Sequence, residues 1–314
     1  MLSLVIPAYN EVESLEELHQ ELNSMIHSEA LEAEIVFIDD GSTDGTWSKI
    51  VELAARDSRV RGLRLRQNFG KAVALNAAFT FVHGDPVVTL DADLQDDLKE
   101  IPRMIVKLEE GFDLVSGWRR RRFDPWHKVF LSRLLNSLFG ILSGLKLDDH
   151  NCGLKCYRAA VLKEIKLYGE LHRFITIMAY RQGFRVTQIE TKHSHRRHGH
   201  SKYGPTRLLK GLLDISTMGF LCTFRHRPIH LLGGMGLLAF VGGMLGLALL
   251  AIMWFSDGGP IGVRPLLIYS VASVLFGIQI IIFGILTELI IAYHLERGGK
   301  DDDQYTILER VGES

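Results

Sequence analysis

The sequence predicts an α/β protein, with a mostly parallel β-sheet covered by helices on both faces and two transmembrane helices after it. Over the first 120 residues, apolar β-rich runs alternate with amphipathic helical runs, which is the pattern of such a sheet. Polar clusters follow the predicted strands, at the edge where parallel sheets bind ligands. Two C-terminal stretches, 231–255 and 266–287, contain no Asp, Glu, Lys or Arg.

Strands and helices alternate regularly in the predicted sheet domain. Short runs rich in β-branched residues and closed by turn residues indicate strands, at 2–10, 33–46, 60–66, 86–93 and 112–118. Apolar residues at every third or fourth position, such as Leu15, Leu18 and Leu22, indicate helices. The helical runs are 11–26, 47–57, 70–82 and 98–111.

Each charge-free stretch is long enough to cross a hydrocarbon core of about 30 Å as a helix. The alternative is a pair of buried core helices, which seldom extend so far without a charge. Basic residues gather on the two outer flanks, which indicates that both flanks are cytoplasmic. The predicted organisation is a cytoplasmic domain at 1–205, a juxtamembrane amphipathic segment at 206–228, two transmembrane helices within 229–293 (about 231–255 and 266–290) and a cytoplasmic tail at 294–314.

Composition narrows the class of protein. The net charge of -1 gives no global basic field, so we expect no nucleic-acid partner. The three cysteines, Cys152, Cys156 and Cys222, are few and odd in number, which favours a reducing compartment without disulfides. The first ten residues lack a basic region and predict a strand rather than a signal peptide.

Acidic residues are concentrated where the fourth strand ends. Asp91, Asp93 and Gln95 alternate along the chain, and alternate side chains of an extended segment project the same way. Their oxygen ligands suit Mg²⁺ or Mn²⁺. We expect Asp96 and Asp97 to cap the following helix. The alternative is a solvated acidic loop, but the polar clusters at the other strand ends favour a metal site.

Asp39 and Asp40 end the second strand. A carboxylate at this place accepts a hydrogen bond from a base N–H or a ribose hydroxyl, or forms only local turn bonds, as we expect for Asp44. Lys71 begins the third helix and would face either a phosphate or solvent. The glycine-rich signatures of dinucleotide-binding and P-loop proteins are both absent from the sequence.

Four segments in this order resemble family 2 glycosyltransferases with the GT-A fold: "VIPAYNE" at 5–11, "DDGSTDGT" at 39–46, "QNFGKAVALNAAF" at 67–79 and "LDADLQDD" at 90–97. The last segment and the two spans resemble the polyprenyl-phosphate branch, which includes dolichol-phosphate mannose synthase. Such enzymes move a sugar from a nucleotide sugar to a lipid phosphate. The Q-x-x-R-W motif of the processive polysaccharide synthases is absent from the sequence.

The resemblance implies where the donor binds. Asp91, Asp93 and Gln95 would hold Mg²⁺ or Mn²⁺ on the diphosphate, where the metal neutralises the leaving group. The residues implied for the nucleotide pocket are Pro7, Tyr9, Asn10, Glu11, Asp39, Asp40, Lys71 and Asp91.

The resemblance also implies catalytic residues on the acceptor side. Arg119 matches an S-G-x-R element that faces phosphate, and Asp149 matches a D-x-x-[CST]-G element near the reacting sugar. A lipid phosphate is already anionic, so we expect Asp149 to position a substrate rather than act as a strong base. Arg133 would reach the acceptor phosphate from 128–145, an interfacial or domain-core helix. Arg196 and Lys202, in an R-x-x-G-x-S-K loop, would add positive charge over the diphosphate.

Two further features concern metals and the membrane. Cys152, Cys156 and the histidines of 193–200 have poor spacing for zinc. Glu288 lies in the second span, where acids are costly and often functional; it would reach the interface or pair between protomers. Glycines in the first span permit close helix packing, so a homo-oligomer is compatible with the sequence.

The sequence and the resemblance together predict an inverting glycosyltransferase of the bacterial plasma membrane, acting on the cytoplasmic leaflet. We expect UDP-glucose as the donor and undecaprenyl or dolichyl phosphate as the acceptor. GDP-mannose or another UDP-sugar, and a diacylglycerol or ceramide acceptor, are the alternatives within this class. The alternative from another class is a catalytically silent membrane scaffold.

Overall fold

The computed structural model describes residues 1–119, 140, 143–165, 167, 171–192, 228–257, 265–296 and 307–312. The chain divides into two compact units. One contains a β-sheet with its covering helices, and the other contains two long apolar helices.

The described residues form one eight-stranded sheet with the order β7-β5-β6-β4-β1-β2-β3-β8. The strands are β1 (Leu2–Ala8), β2 (Ala33–Asp39), β3 (Val60–Leu65), β4 (Val87–Thr89), β5 (Leu114–Arg119), β6 (Lys155–Tyr157), β7 (Val186–Thr191) and β8 (Ile307–Val311). Neighbours pair in parallel except at three places, where β6 meets β4 and β5 and where β8 meets β3. The predicted mostly parallel sheet is therefore confirmed.

Helices cover both faces of this sheet. They are α1 (Leu15–Ser28), α2 (Thr46–Arg56), α3 (Lys71–Phe81), α4 (Ile101–Glu109), α5 (Ala159–Glu164) and α6 (Ile175–Arg181). The apolar positions that predicted α1 are its buried positions, including Leu15, Leu18 and Leu22. Every residue of β2 is buried, as expected for a central strand that is covered on both sides.

The strand order reverses at β1, and this reversal creates the cleft in which a ligand can bind. β1 pairs in parallel with β2 on one side and with β4 on the other. The connections that leave β2 and β4 therefore diverge on opposite sides of β1. In open α/β sheets this switch point, at the carboxyl ends of the strands, is the usual ligand-binding crevice.

Strand β8 was not predicted, because the sequence analysis assigned 294–314 to a tail. It pairs antiparallel with β3 at the sheet edge. Gly62 makes room for it: a Cβ at this position would lie 2.8 Å from Cγ1 of Val311. On the same face, Nε1 of Trp47 donates a hydrogen bond of 2.6 Å to Oε2 of Glu309.

The second unit contains α7 (Pro228–Asp257) and α8 (Pro265–Glu296). Both contain segments long and apolar enough to span a membrane, and only 17% and 11% of those segments are buried. This exposure disfavours the alternative of two core helices. Glycines bring the two backbones together, since a Cβ on Gly236 would lie 2.7 Å from the carbonyl oxygen of Gly277. Oε2 of Glu288 is buried and has no hydrogen-bond partner within the described ranges.

Removal of residues 307–314 should destabilise the sheet unit, because β3 becomes an open edge and loses the contact of Val311 with Gly62. We expect a loss of about 2 kcal/mol and a fall in Tm of about 4–8 °C, measured by scanning fluorimetry in detergent. A chain shortened by residues 313–314 alone is the control and should keep its Tm. Equal Tm values for the two shortened chains would contradict a stabilising role of β8.

Candidate active site

A cleft of about 250 Å³ lies where β1, β2 and β4 end. Seven of the residues predicted to bind the nucleotide or the metal line it: Pro7, Tyr9, Glu11, Asp40, Lys71, Asp91 and Asp93. Asn68 and Gly70, from the loop that precedes α3, complete part of the wall. Residues that are distant in sequence thus converge at one place.

Asn10 and Asp39, also predicted for the nucleotide pocket, support the wall of the cleft. Asn10 has a positive φ of 53°. Its side-chain oxygen accepts a hydrogen bond from the N–H of Thr43, and its own N–H donates to Oγ of Ser42, both at 2.9 Å. Asp39 is fully buried, and its Oδ1 accepts the N–H of Ser42 at 2.9 Å. Asn10 thus ties the loop after β1 to the loop after β2, and Asp39 holds the start of the second loop in place.

Asp40 holds the loop that leads into α3. Its two carboxylate oxygens accept hydrogen bonds from the N–H groups of Phe69 and Gly70, at 2.8 and 2.9 Å. Burial raises the pKa of Asp40 to about 6, although these two hydrogen bonds act to lower it. The carboxylate therefore fixes the position from which Lys71 begins its helix.

Lys71 contacts Asp91 through a short ion pair across the cleft. Burial would raise the pKa of Asp91, but the nearby ammonium group of Lys71 outweighs it and holds the pKa below its usual value. Asp91 is therefore a charged carboxylate. Gly153 lies directly against it, since a Cβ at Gly153 would be 2.6 Å from Oδ2 of Asp91. Gly153 is the glycine of the D-x-x-[CST]-G element that begins at Asp149, and this contact with Asp91 was not predicted.

The turn between Asp91 and Gln95 has a strained backbone. Leu94 has a φ of 58°, in the left-handed region that costs a residue with a Cβ about 1–2 kcal/mol. Its side chain is 96% buried, which helps to compensate this cost. Asp93 lines the cleft, and the N–H of Gln95 donates to Oδ1 of Asp93 at 3.3 Å. Such strain is common where a backbone is shaped by function.

Asp97 acts as a helix cap as predicted: its Oδ1 accepts the N–H of Lys99 at 3.1 Å, at the start of the 3₁₀ turn Leu98–Glu100 that leads into α4. The same prediction for Asp96 is wrong. Asp96 accepts a hydrogen bond from the backbone of Asp91, and its Oδ2 is buried without a hydrogen-bond partner in the described part of the chain. Burial, and then the charges of Asp91 and Asp93, raise the pKa of Asp96 to about 7.

These carboxylates fit a divalent cation. Within the described ranges, the structure contains no group of three His, Cys, Asp or Glu residues placed to hold a metal by themselves. Mg²⁺ in proteins is usually held by one or two carboxylates together with substrate phosphates. Asp91 and Asp93 supply two carboxylates, and a cation between them would relieve the repulsion that Asp96 experiences.

Arg119, the last residue of β5, forms an ion pair with Asp149. Nε of Arg119 lies 2.8 Å from Oδ2 of Asp149, and Nη2 donates to the carbonyl oxygen of Asn151 at 3.0 Å. Asp149 is fully buried, and its Oδ1 also accepts the N–H of Asn151 at 3.1 Å. Both oxygens of Asp149 thus have partners.

Lys155 is a charged residue near the site that the sequence analysis missed. It is 4% exposed, and its ammonium group contacts the carbonyl oxygen of Cys152. Burial lowers the pKa of Lys155 to about 8. The feature that could have identified Lys155 in the sequence is the presence of a lysine within the otherwise apolar run of β6. Burial also raises the pKa of the Cys152 thiol to about 12, which disfavours the thiolate that zinc requires.

Three predicted catalytic residues, Arg133, Arg196 and Lys202, lie outside the described residues. The same is true of Cys222 and of most of the predicted interfacial helix at 128–145. Gln95 is described, but it is not among the residues that line the cleft.

Asp40→Asn should destabilise the protein in a pH-dependent way. Because the pKa of Asp40 is about 6 in the folded protein and 3.8 in a model peptide, the folded state binds more protons between these values. The contribution of Asp40 to the free energy of unfolding therefore falls as the pH rises through this range. The difference in Tm between the wild type and Asp40→Asn should be larger at pH 4.5 than at pH 7.5.

Asp44→Asn is the matched control for this prediction. Burial acts to raise the pKa of Asp44, but hydrogen bonds from Thr46 outweigh it and lower the pKa. Asp44 is therefore ionised throughout pH 4.5–7.5, and its substitution should change the Tm by a similar amount at both pH values. A pH-independent effect of Asp40→Asn would contradict the assignment.

Comparisons with known proteins agree with this architecture. The model of the family "Glycosyl transferase family 2" matches residues 3–166. Dodecaprenyl-phosphate galacturonate synthase of Rhizobium johnstonii is 37% identical over 302 residues, with 92% of this chain and 87% of that protein covered. Undecaprenyl-phosphate 4-deoxy-4-formamido-L-arabinose transferase of Shewanella sediminis is 37% identical over 293 residues, with 92% and 86% covered.

Solved structures share the fold. Mannosyl-3-phosphoglycerate synthase of Rubrobacter xylanophilus has a TM-score of 0.55 at 18% identity, with 70% of this chain and 74% of that chain covered. Glucosyl-3-phosphoglycerate synthase of Mycobacterium tuberculosis, in complex with Mn²⁺ and UDP-glucose, has a TM-score of 0.51 at 20% identity, with 71% and 77% covered. The predicted GT-A fold is confirmed. The chain belongs to glycosyl transferase family 2 and is a glycosyltransferase, and its curated relatives are polyprenyl-phosphate glycosyltransferases.

Proposed function

We propose that this protein transfers a sugar, with inversion, from a nucleotide sugar to a polyprenyl phosphate. The observation that carries the proposal is the cleft at the strand switch point, where Lys71, Asp91 and Asp93 meet the loops after β1 and β2. The two relatives whose names state a polyprenyl-phosphate acceptor align with 92% of this chain. The apolar helices α7 and α8 suit an enzyme whose acceptor lies in a membrane.

On the donor side, the chain binds and orients the nucleotide diphosphate. The loops after β1 and β2 form the nucleotide wall, through Tyr9, Glu11 and Asp40. Asp91 and Asp93 would hold Mg²⁺ or Mn²⁺, and the metal would supply Lewis-acid neutralisation of the leaving diphosphate. Lys71, at the N-terminus of α3, exchanges its contact with Asp91 for a phosphate oxygen. Because Gly153 has no Cβ, it leaves room for the carboxylate of Asp91.

On the acceptor side, Asp149 positions the sugar or the lipid phosphate and does not act as a general base. The acceptor phosphate is anionic at neutral pH, so no proton has to be removed from it. The ion pair with Arg119 fixes the orientation of Asp149. Catalysis then depends on alignment of the phosphate oxygen with the anomeric carbon and on charge stabilisation.

UDP is the favoured nucleotide of the donor, because UDP or UDP-glucose is present in solved complexes of the fold neighbour from M. tuberculosis. For the sugar, glucose was the expectation from sequence. The relatives are named for galacturonate and for 4-deoxy-4-formamido-L-arabinose. We therefore propose a UDP-linked donor and place these two sugars ahead of glucose.

We propose that α7 and α8 span the membrane and that the sheet unit and both ends of the chain are cytoplasmic. Support comes from the basic flanks and from β8, which follows both helices and yet pairs with β3. Two crossings return the chain to the side from which it started, as this pairing requires. Nucleotide sugars are cytoplasmic substrates, which agrees with this orientation.

The proposal is tested with the full chain purified in detergent. Undecaprenyl phosphate and Mn²⁺ or Mg²⁺ are supplied with UDP-galacturonate, UDP-4-deoxy-4-formamido-L-arabinose, UDP-glucose or GDP-mannose, one at a time. The readout is sugar that partitions into the organic phase with the lipid. Transfer from one donor would support the reaction and name the sugar. Nucleotide binding without transfer from any donor would favour another lipid acceptor first and the silent scaffold second.

Asp93→Ala should abolish transfer, because one of two cleft carboxylates for the metal is lost. We expect a fall in kcat/KM of at least about 100-fold, measured in the same assay across a range of Mn²⁺ concentrations. Asp97→Asn is the control, since Asp97 caps a helix in the same segment, and its activity should stay within about threefold. Near-normal transfer by Asp93→Ala would refute the metal assignment.

Asp149→Asn should lower kcat without changing the acidic limb of the pH–rate profile, because Asp149 positions a substrate and does not take up a proton. We expect a loss of about 10- to 1000-fold, typical for a misplaced reactive group. The measurement is kcat as a function of pH for the wild type and the variant. Loss of an acidic limb in Asp149→Asn would instead assign Asp149 as a general base.

A further inference from the structure

The C-terminal strand β8 brings a carboxylate into register with the nucleotide side of the sheet. Asp39 of β2 pairs with Arg64 of β3, and Arg64 pairs with Glu309 of β8. The three residues therefore lie side by side across three adjacent strands, in the charge order negative, positive, negative. Directly opposed residues on neighbouring strands interact through their side chains.

Arg64 lies within ion-pairing distance of both acidic side chains. Nη1 of Arg64 lies 3.2 Å from Oε1 of Glu309, and Nε lies 3.4 Å from Oδ2 of Asp39. The side chains become less exposed inward, from 50% at Glu309 to 27% at Arg64 and none at Asp39. Nε of Arg64 and Oδ2 of Asp39 are both buried and without a hydrogen-bond partner among the described residues. Arg64 is therefore held near Asp39 without closing on it.

This ladder of Asp39, Arg64 and Glu309 is connected to the wall of the cleft, and the first connection starts at Asp39. Oδ1 of Asp39 accepts the N–H of Ser42 at 2.9 Å, and Oγ of Ser42 accepts the N–H of Asn10 at 2.9 Å. Asn10 stands between Tyr9 and Glu11, which line the cleft. A shift of Asp39 would thus be transmitted to the two residues on either side of Asn10.

A second route runs through α2. Oε2 of Glu309 accepts a hydrogen bond of 2.6 Å from Nε1 of Trp47. Thr46, the preceding residue and the first of α2, accepts the N–H of Glu11 through its Oγ1 at 3.0 Å. Glu309 thus contacts α2 directly and reaches Asp39, at the end of β2, through Arg64. These two elements flank the loop after β2, which belongs to the nucleotide side of the cleft.

We propose that Glu309 is a positioning residue for nucleotide binding, so that the segment following the second apolar helix sets the affinity for the donor. The inference rests on the proposed function, because it assigns the wall around Tyr9 and Glu11 to the nucleotide. Without the charge of Glu309, Arg64 has Asp39 as its remaining acidic neighbour in this ladder and closes on it. Asp39 then turns away from Ser42, and the wall loses its support.

The test compares Glu309→Gln with Arg310→Gln in the full chain. Glutamine keeps an acceptor for Trp47 but removes the charge that faces Arg64. Arg310 lies on the opposite face of β8, where its guanidinium is 5.8 Å from the centre of the Phe81 ring, so its substitution is the matched single-charge control. Binding of UDP, or of GDP if the wild type prefers it, is measured by calorimetry with Mn²⁺ present.

Glu309→Gln should raise the Kd for the nucleotide about three- to tenfold, a loss typical of one charged cross-strand pair. Arg310→Gln should stay within about twofold of the wild type. Neither variant should change the binding of inorganic pyrophosphate with Mn²⁺, because the ladder supports the nucleoside half of the cleft. In the transfer assay, Glu309→Gln should raise the donor KM and leave kcat unchanged.

A double-mutant cycle tests the route through Arg64. In an Arg64→Gln background, Glu309→Gln should have no further effect on the Kd. The inference would be overturned if Glu309→Gln bound the nucleotide with wild-type affinity. It would also be overturned if Arg310→Gln lost as much affinity as Glu309→Gln and the Tm of both variants fell equally. Either result would leave the proposed function standing. Failure of the unaltered chain to bind either nucleotide would overturn both.

Discussion

Parallel hydrogen bonding of β1 to a strand on each side is the constraint on which the site depends. Ala8 is in register with Asp39 of β2, and Val5 is in register with Thr89 of β4. All three strands therefore end at one edge, and their loops enter the same cleft. Antiparallel pairing at either place would carry one of these loops to the far edge of the sheet, about a strand length away. Strand register alone therefore brings residues that are distant in sequence to the same cleft, independently of side-chain contacts.

The charges at this edge are balanced by partners of several kinds. Lys71 compensates Asp91, Arg119 compensates Asp149, and backbone N–H groups satisfy Asp40. Because buried charges are stable only when paired or hydrogen-bonded, the protein can assemble this acidic edge ahead of any ligand. Asp96 is the exception, since its pKa is raised to about 7 and one of its oxygens has no hydrogen-bond partner in the described ranges. The imbalance is local and is of the kind that a cation corrects.

Much of the fold and part of the site could be predicted from the sequence, because periodicity and strand-end chemistry are local signals. The spacing of Leu15, Leu18 and Leu22 specified the buried face of α1, and strand-end placement identified Asp40 and Asp91 as cleft residues. Contacts set by tertiary packing could not be predicted. The closeness of Gly153 to Asp91 and the return of β8 to β3 depend on pairings between segments far apart in sequence.

The position of β8 in the chain has a consequence for biosynthesis. The strand lies after both apolar helices, so the ribosome completes every other described element of the sheet before β8 exists. Until then the edge of β3 offers unpaired backbone groups, which is a hazard for association with other nascent chains. If α7 and α8 are inserted as they emerge, the sheet closes only after membrane integration. A chain arrested before its C-terminus would therefore display an open edge that distinguishes it from a finished enzyme.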